Sequence, residues 1–172
     1  MPTGRIVATS MSNLGLEEAL GRHGIGVVRC GVGDREVVAA MKREGIDLGG
    51  EQSGHIVNLA LGTQGDGLLT ALHVARLRRV AGRPLSEQLA GFERYPQLLR
   101  NVRVGEKPDL ETLPRVVAAR DAVIGELGES GRLVLRYSGT EPLVRIMIEG
   151  RDRAQIERLA EGLAAVLAAE LG

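Results

Sequence analysis

The chain has 172 residues, 44% of them hydrophobic, with 22 basic and 22 acidic side chains. That composition supports a folded core and excludes a disordered chain, and the length fits one ordinary domain or two small ones. Charge is balanced in each half and the only aromatic residues are Phe92, Tyr95 and Tyr137, which argues against a basic nucleic-acid surface and a base-stacking platform.

The opening Met1-Pro2-Thr3-Gly4-Arg5 carries no apolar stretch of leader length. Ile6 to Thr9 then reads as a short buried strand, and Leu14 to His23 as a helix with Leu16, Ala19 and Leu20 on one face and Gly24 as its stop. Ile25 to Cys30 reads as a second strand. Its Cys30 is the single cysteine, which fits a reducing, cytoplasmic setting; it is read as a buried structural thiol rather than a reactive one. Asp34 is placed to cap a helix from Arg35 to Arg43. Residues 46–55 read as a Gly-rich loop and His55 to Leu61 as a strand. Asp66 is placed to cap a helix from Gly67 to about Ala81, and Ser86 opens a shorter helix. This order predicts an α/β layer structure with about three parallel strands, few for a free-standing parallel sheet.

After Pro96 the pattern changes. Leu98 to Val104 reads as an alternating strand, Val116 to Leu127 as a helix, Arg132 to Tyr137 and Leu143 to Glu149 as two strands, and Arg153 to Leu171 as a long helix. The β-α-β-β-α order predicts a small α+β domain with helices on one sheet face. The whole is therefore read as an incomplete, mixed or parallel three-layer α/β domain over 1–92, followed by a small α+β domain over 93–172. No run of roughly 18 apolar residues exists to span a membrane.

Two loops carry the chemistry. In Arg136-Tyr137-Ser138-Gly139-Thr140-Glu141-Pro142-Leu143-Val144-Arg145, strand alternation puts Arg136 and Arg145 outward if Leu133, Leu135, Val144, Ile146 and Ile148 face the core. Two guanidinium forks, the Ser138 and Thr140 hydroxyls and the backbone freedom of Gly139 suit a phosphate; an ordinary hairpin with two solvated arginines fits the same residues. In Gly49-Gly50-Glu51-Gln52-Ser53-Gly54-His55, an extended chain puts Glu51, Ser53 and His55 on one side. A carboxylate, a hydroxyl and an imidazole on one edge suit a polyol, whereas a Gly-rich turn with exposed polar groups is the alternative. A lone Glu and His do not make a metal site. Asp34 and Arg35 stand at a helix start and are candidates for facing substrate; capping is the structural alternative for Asp34, as for Asp66. His23 and His73 read as surface or boundary residues.

Together these motifs resemble the α-D-phosphohexomutase superfamily. The Gly-Gly-Glu-Gln-Ser-Gly-His stretch is similar to the sugar-specificity loop of its third domain, and Arg-Tyr-Ser-Gly-Thr-Glu-Pro to the phosphate loop of its fourth. Ala8-Thr9-Ser10-Met11-Ser12-Asn13-Leu14-Gly15-Leu16, Val32-Gly33-Asp34-Arg35, Gly65-Asp66-Gly67-Leu68-Leu69-Thr70-Ala71-Leu72 and the Ser-Gly-Thr-Glu form of the phosphate loop resemble its phosphoglucosamine mutase branch. The resemblance implies the latter part of domain three and all of domain four. It implies that Glu51, Ser53 and His55 bind sugar hydroxyls and that Arg136, Ser138, Gly139, Thr140 and Arg145 bind the substrate's distant phosphate.

The same resemblance implies a reaction interconverting glucosamine 6-phosphate and glucosamine 1-phosphate through glucosamine 1,6-bisphosphate. The family's phosphoserine loop and its Asp-Gly-Asp-Gly-Asp-Arg magnesium loop have no counterpart in these residues. Magnesium and the nucleophile would then come from N-terminal mutase domains in the same or another chain, and this chain alone is expected to be inactive. A stand-alone sugar-phosphate-binding module, or part of a phosphomannomutase or phosphoglucomutase, are the competing readings. The implied ligand is a hexosamine phosphate, with no nucleic acid and no membrane as partner.

Overall fold

The computed structural model describes residues 3–172; Met1 and Pro2, at the start of the stretch read for a leader, lie outside the described residues. The chain divides into two compact units, one up to Arg94 and one from Tyr95. Local contacts explain where the change falls. The Glu93 carbonyl lies against Gly15, where a Cβ would come within 1.9 Å of it. The Pro96 carbonyl instead accepts from the Gly150 amide at 3.2 Å.

The first unit runs β1 (Arg5–Thr9), α1 (Leu14–Gly21), β2 (Gly26–Cys30), α2 (Asp34–Glu44), β3 (Leu48–Gly50), β4 (Ile56–Asn58), α3 (Gly67–Ala81) and α4 (Leu85–Gln88). Its sheet has four strands in the order β2-β1-β3-β4. β1 pairs in parallel with β2 and β3, whereas β4 returns antiparallel to β3. The sheet is thus mixed, with one strand more than the pattern predicts. The addition is β3, inside the stretch read as loop, and the strand expected from His55 to Leu61 shortens to Ile56–Asn58. The Asn58 carbonyl accepts from the Leu61 and Gly62 amides, and this turn ends the ladder. Val37, Ala40 and Met41 of α2 bury against Val7, Ile46 and Val57. Full burial of such side chains stabilises by about 1.5–3 kcal/mol each. Asp34 is not the cap of α2: Gly33 holds that position, and the Asp34 carboxylate accepts from the Arg35 amide at 2.8 Å. Asp66 does cap α3, its Oδ1 accepting from the Leu69 amide at 2.9 Å.

The second unit runs β5 (Gln97–Arg103), a 3-10 turn (Leu110–Thr112), α5 (Pro114–Leu127), β6 (Gly131–Tyr137), β7 (Leu143–Gly150) and α6 (Arg153–Leu171). The antiparallel sheet has the order β5-β7-β6. Proline at the first position of α5 fits a site that needs no amide donor. Val144, Ile146 and Ile148 of β7 alternate toward α5 and α6, where Val116, Val123, Ile156, Leu163 and Leu167 close the core. The opposite face departs from simple alternation. Met147 is 2% exposed and Glu149 0%. Glu149 is held there by Arg132, whose Nε donates to its carboxylate at 2.8 Å, and by Gln97 at 3.2 Å. Pairing of this kind is what makes a buried carboxylate tolerable. Among the described residues no helix is long and apolar enough to cross a membrane.

Candidate functional site

Each unit contributes one loop. In the first, β3 ends at Gly50 and the chain reverses into β4 through a tight turn. The Glu51 amide donates to the His55 carbonyl and the Gly54 amide to the Glu51 carbonyl, both at 3.0 Å. Two glycines make this reversal possible. A Cβ on Gly50 would sit 2.9 Å from the His55 carbonyl oxygen, and Gly54 adopts φ 95°, which L side chains rarely reach.

The turn gathers three side chains. His55 Nδ1 lies 2.9 Å from Ser53 Oγ and 3.1 Å from Glu51 Oε1. Glu51, Ser53 and His55 therefore do come together, but through the turn and not through extended-strand alternation. The Glu51 side chain is largely buried and the His55 side chain exposed. Glu51 also lines a cleft of about 400 Å³ whose walls include Ile6, Ala8, Ser12, Asn13 and Phe92. A carboxylate with a hydroxyl and an imidazole at the edge of a cleft can accept and donate several hydrogen bonds to a polyol.

The cleft's Ser12–Asn13 wall is shaped by an arginine. Arg29 Nη1 donates to the Thr9 carbonyl at 2.9 Å and the Ser12 carbonyl at 2.7 Å, while its Nε pairs with Glu17 at 2.7 Å. Asp34 and Arg35 are exposed at the start of α2, and among the described residues no hydrogen bond joins them to either loop. Burial raises the Cys30 thiol above its ordinary pKa, with Glu36 adding to the shift. The thiol therefore has no activated-thiolate character.

In the second unit, β6 and β7 pair so that Arg136 stands directly opposite Arg145. Like charges facing across a ladder destabilise it unless something neutralises them. The connecting loop is closed by the Ser138 amide donating to the Leu143 carbonyl and the Leu143 amide to the Glu141 carbonyl, each at 2.8 Å. Ser138 is 3% exposed, and its Oγ accepts from the Glu141 amide at 3.3 Å. Gly139 and Thr140 form the exposed crest. Arg145 Nη2 pairs with Glu141 Oε2 at 2.7 Å, whereas its buried Nε has no hydrogen-bond partner among the described residues. Arg136 Nη1 lies 3.5 Å from the Tyr137 carbonyl oxygen, a long contact.

A third cation joins this loop that sequence reasoning missed. Lys107 Nζ donates to the Ser138 carbonyl at 2.7 Å. The linker is fixed on both sides of it: the Val104 amide donates to the Pro142 carbonyl at 3.0 Å, and the Tyr137 hydroxyl to the Pro108 carbonyl at 2.8 Å. Burial raises the Tyr137 pKa, which keeps that hydroxyl a donor. No pattern around Gly105-Glu106-Lys107-Pro108 marks the lysine, because its partner lies across the sheet end.

The family model for phosphoglucomutase/phosphomannomutase, alpha/beta/alpha domain III, matches residues 1–95, and that for the phosphoglucomutase/phosphomannomutase C-terminal domain matches residues 99–166. The chain belongs to this family. The phosphoglucosamine mutase of Syntrophotalea carbinolica is 46% identical over 167 residues, covering 97% of this chain and 36% of that protein. The phosphoglucosamine mutase of Rhizobium rhizogenes is 51% identical over 162 residues, covering 94% and 36%. The chain thus spans little more than a third of the length of these relatives.

Solved structures show the same fold. The Aspergillus fumigatus N-acetylphosphoglucosamine mutase matches with TM-score 0.80 at 22% identity, over 96% of this chain and 38% of that one. The structure of that enzyme in complex with GlcNAc-6P and magnesium matches with TM-score 0.79 at 21% identity, over 98% and 39%. Within the family member described here, no three His, Cys, Asp or Glu side chains among the described residues converge to hold a metal.

Proposed function

We propose that this chain is the substrate-binding C-terminal part of a phosphoglucosamine mutase, with a sugar-binding domain over 1–92 and a phosphate-binding domain over 93–172. The observation that carries the reading is the direct opposition of Arg136 and Arg145 beside the exposed Gly139–Thr140 crest of the loop. That arrangement gains stability from a dianion and loses it without one. Identities of 46–51% to proteins named phosphoglucosamine mutase support the sugar-phosphate class.

In this reading Arg136, Ser138, Gly139, Thr140 and Arg145 grip the phosphate distant from the reacting centre, and Lys107 fixes the loop through the Ser138 carbonyl. Glu51, Ser53 and His55 grip sugar hydroxyls. Asp34 and Arg35 are secondary candidates for facing the substrate. All are positioning roles: they hold the sugar phosphate so that its other end is aligned for phosphoryl transfer. The transfer itself, between glucosamine 6-phosphate and glucosamine 1-phosphate through the 1,6-bisphosphate, belongs to the complete enzyme with its magnesium and phosphoserine.

The test is calorimetric titration of inorganic phosphate and glucosamine 6-phosphate against the chain and two variants. Arg136→Ala weakens both ligands by roughly ten- to a hundredfold, the worth of one charge-assisted hydrogen bond. Glu51→Ala leaves inorganic phosphate affinity unchanged and weakens glucosamine 6-phosphate. Unchanged phosphate affinity in Arg136→Ala, or lost phosphate affinity in Glu51→Ala, contradicts this division of labour.

A further inference from the structure

Arg145 has two different occupations in the phosphate loop. Its Nη2 is taken by the Glu141 carboxylate at 2.7 Å, and its Nε is buried without a hydrogen-bond partner among the described residues. Glu141 itself is exposed, four residues before Arg145, and its Oε2 also lies 3.5 Å from Ser138 Oγ. The carboxylate therefore stands against two of the groups that the proposed function assigns to phosphate. A guanidinium whose Nε is left over after a carboxylate has taken one terminal nitrogen is incompletely satisfied, and an unpaired buried donor is costly.

We propose that Glu141 is a built-in counter-ion of the phosphate loop: it neutralises Arg145 when no ligand is bound, and an incoming phosphomonoester dianion displaces it. This inference rests on the phosphate-binding reading of the loop and adds a determinant of its affinity. The physical case has two sides. Without Glu141, Arg145 would lose the carboxylate it pairs with while still facing Arg136, so the empty loop would be less stable. With Glu141 in place, a ligand must compete for Arg145. A phosphomonoester carries nearly two negative charges at neutral pH against the carboxylate's one, and it can pair with the Nη2 that Glu141 gives up and, as the side chain shifts, with the Nε that Glu141 leaves unused. The ion pair is solvent-exposed, so displacing it costs little, about what separates a modest from a good phosphate site.

The test uses the 172-residue chain, its Glu141→Gln variant and inorganic phosphate as the probe. Removing the carboxylate while keeping its size should tighten phosphate about two- to fivefold. The phosphate-free variant should melt at lower temperature, and saturating phosphate should raise its Tm by more than it raises that of the unaltered chain. A purely structural role for Glu141 gives the opposite: a loosened loop that binds phosphate more weakly. A second measurement needs no variant. In the unaltered chain, saturating phosphate should shift the NMR signal of the Arg145 Nε–H group as that donor gains a partner. Unchanged or weaker binding by Glu141→Gln, or an unmoved Arg145 signal at saturation, overturns the counter-ion role while leaving the phosphate site standing. No phosphate binding by the unaltered chain overturns both.

Discussion

Helices α3 and α6 are built from nearly the same residues and meet different fates. Both are rich in leucine, alanine and arginine, and both begin at an aspartate whose carboxylate accepts from the helix amides. In α6, Ile156, Leu159, Ala160, Leu163, Leu167 and Leu171 form one buried stripe. In α3 no residue is buried, and Leu68, Leu72 and Val80 are 74%, 62% and 76% exposed. Where α3 faces the strands, through Leu69, His73 and Leu77, a cleft of about 230 Å³ separates it from Leu48 and Ile56. The apolar period decides that a helix forms; the shape of the surface beside it decides whether that helix contributes packing energy. α6 rests on a sheet face presenting Val144, Ile146 and Ile148 in register, and α3 has no such surface within its own unit.

The largest expected effect tests that contrast directly. Leu163→Ala in α6 should destabilise the second unit by about 2–5 kcal/mol, since it empties a closed core. Leu72→Ala in α3 should change stability by less than about 0.5 kcal/mol, as an exposed substitution does. Both tyrosines, Tyr95 and Tyr137, belong to the second unit, so their fluorescence during urea unfolding reads Leu163→Ala there, and hydrogen exchange at the amides of the first unit reads Leu72→Ala. A Leu72→Ala cost as large as that of Leu163→Ala would show that α3 has a partner and that the contrast is wrong.

A smaller effect separates two arginine–glutamate pairs, one in each unit. Glu149 is fully buried beneath Arg132, whereas Glu17, paired with Arg29, keeps about a third of its side chain in water. Arg132→Ala removes the cationic fork from a buried carboxylate that Gln97 also contacts, and should cost about 3 kcal/mol. Arg29→Ala should cost about 1 kcal/mol, because Glu17 rehydrates and the Thr9 and Ser12 carbonyls lose one donor. Equal costs, measured by denaturant titration with hydrogen exchange to assign each unit, would mean that burial does not set the difference.

Much of the architecture was legible because it rests on local rules. Asp66 announces a helix whose observed limits, Gly67–Ala81, follow from capping and period, and the apolar period alone places Arg153–Leu171. That Arg136 and Arg145 flank one loop follows from strand alternation on its two sides, while the ladder register sets them directly opposite each other. β3 was not legible: Leu48-Gly49-Gly50 has no strand pattern, and pairing with Val7, Ala8 and the β4 strand makes it one. The meeting of Glu51 with His55 was expected for the wrong reason, since a turn and not an extended chain joins them. Burial of Met147 and Glu149 on the outer sheet face depends on Arg132 and Gln97 from neighbouring strands, which alternation within β7 does not encode. Lys107 is invisible for the same reason: its meaning lies in a carbonyl 31 residues away.

The smallest expected effect refines the comparison of the two helices. Asp152 Oδ1 accepts from the Ala154 amide at 2.8 Å, and Asp66 Oδ1 from the Leu69 amide at 2.9 Å. Replacing either by alanine removes one cap, worth about 1 kcal/mol. The loss should be felt differently. In α6 the first turn is also held by Ile156, buried against the sheet, so Asp152→Ala lowers the stability of the second unit while the helix stays formed. In α3 no buried residue compensates, and a helix of that length is marginal on propensity alone. Asp66→Ala should therefore fray the first turn of α3 with little change in global stability. Amide exchange at Leu69 and Thr70 should accelerate about fivefold, the factor that 1 kcal/mol represents, while exchange at Ile156 in Asp152→Ala follows only the global loss. Equal acceleration in both first turns would show that α3 is held by more than its cap.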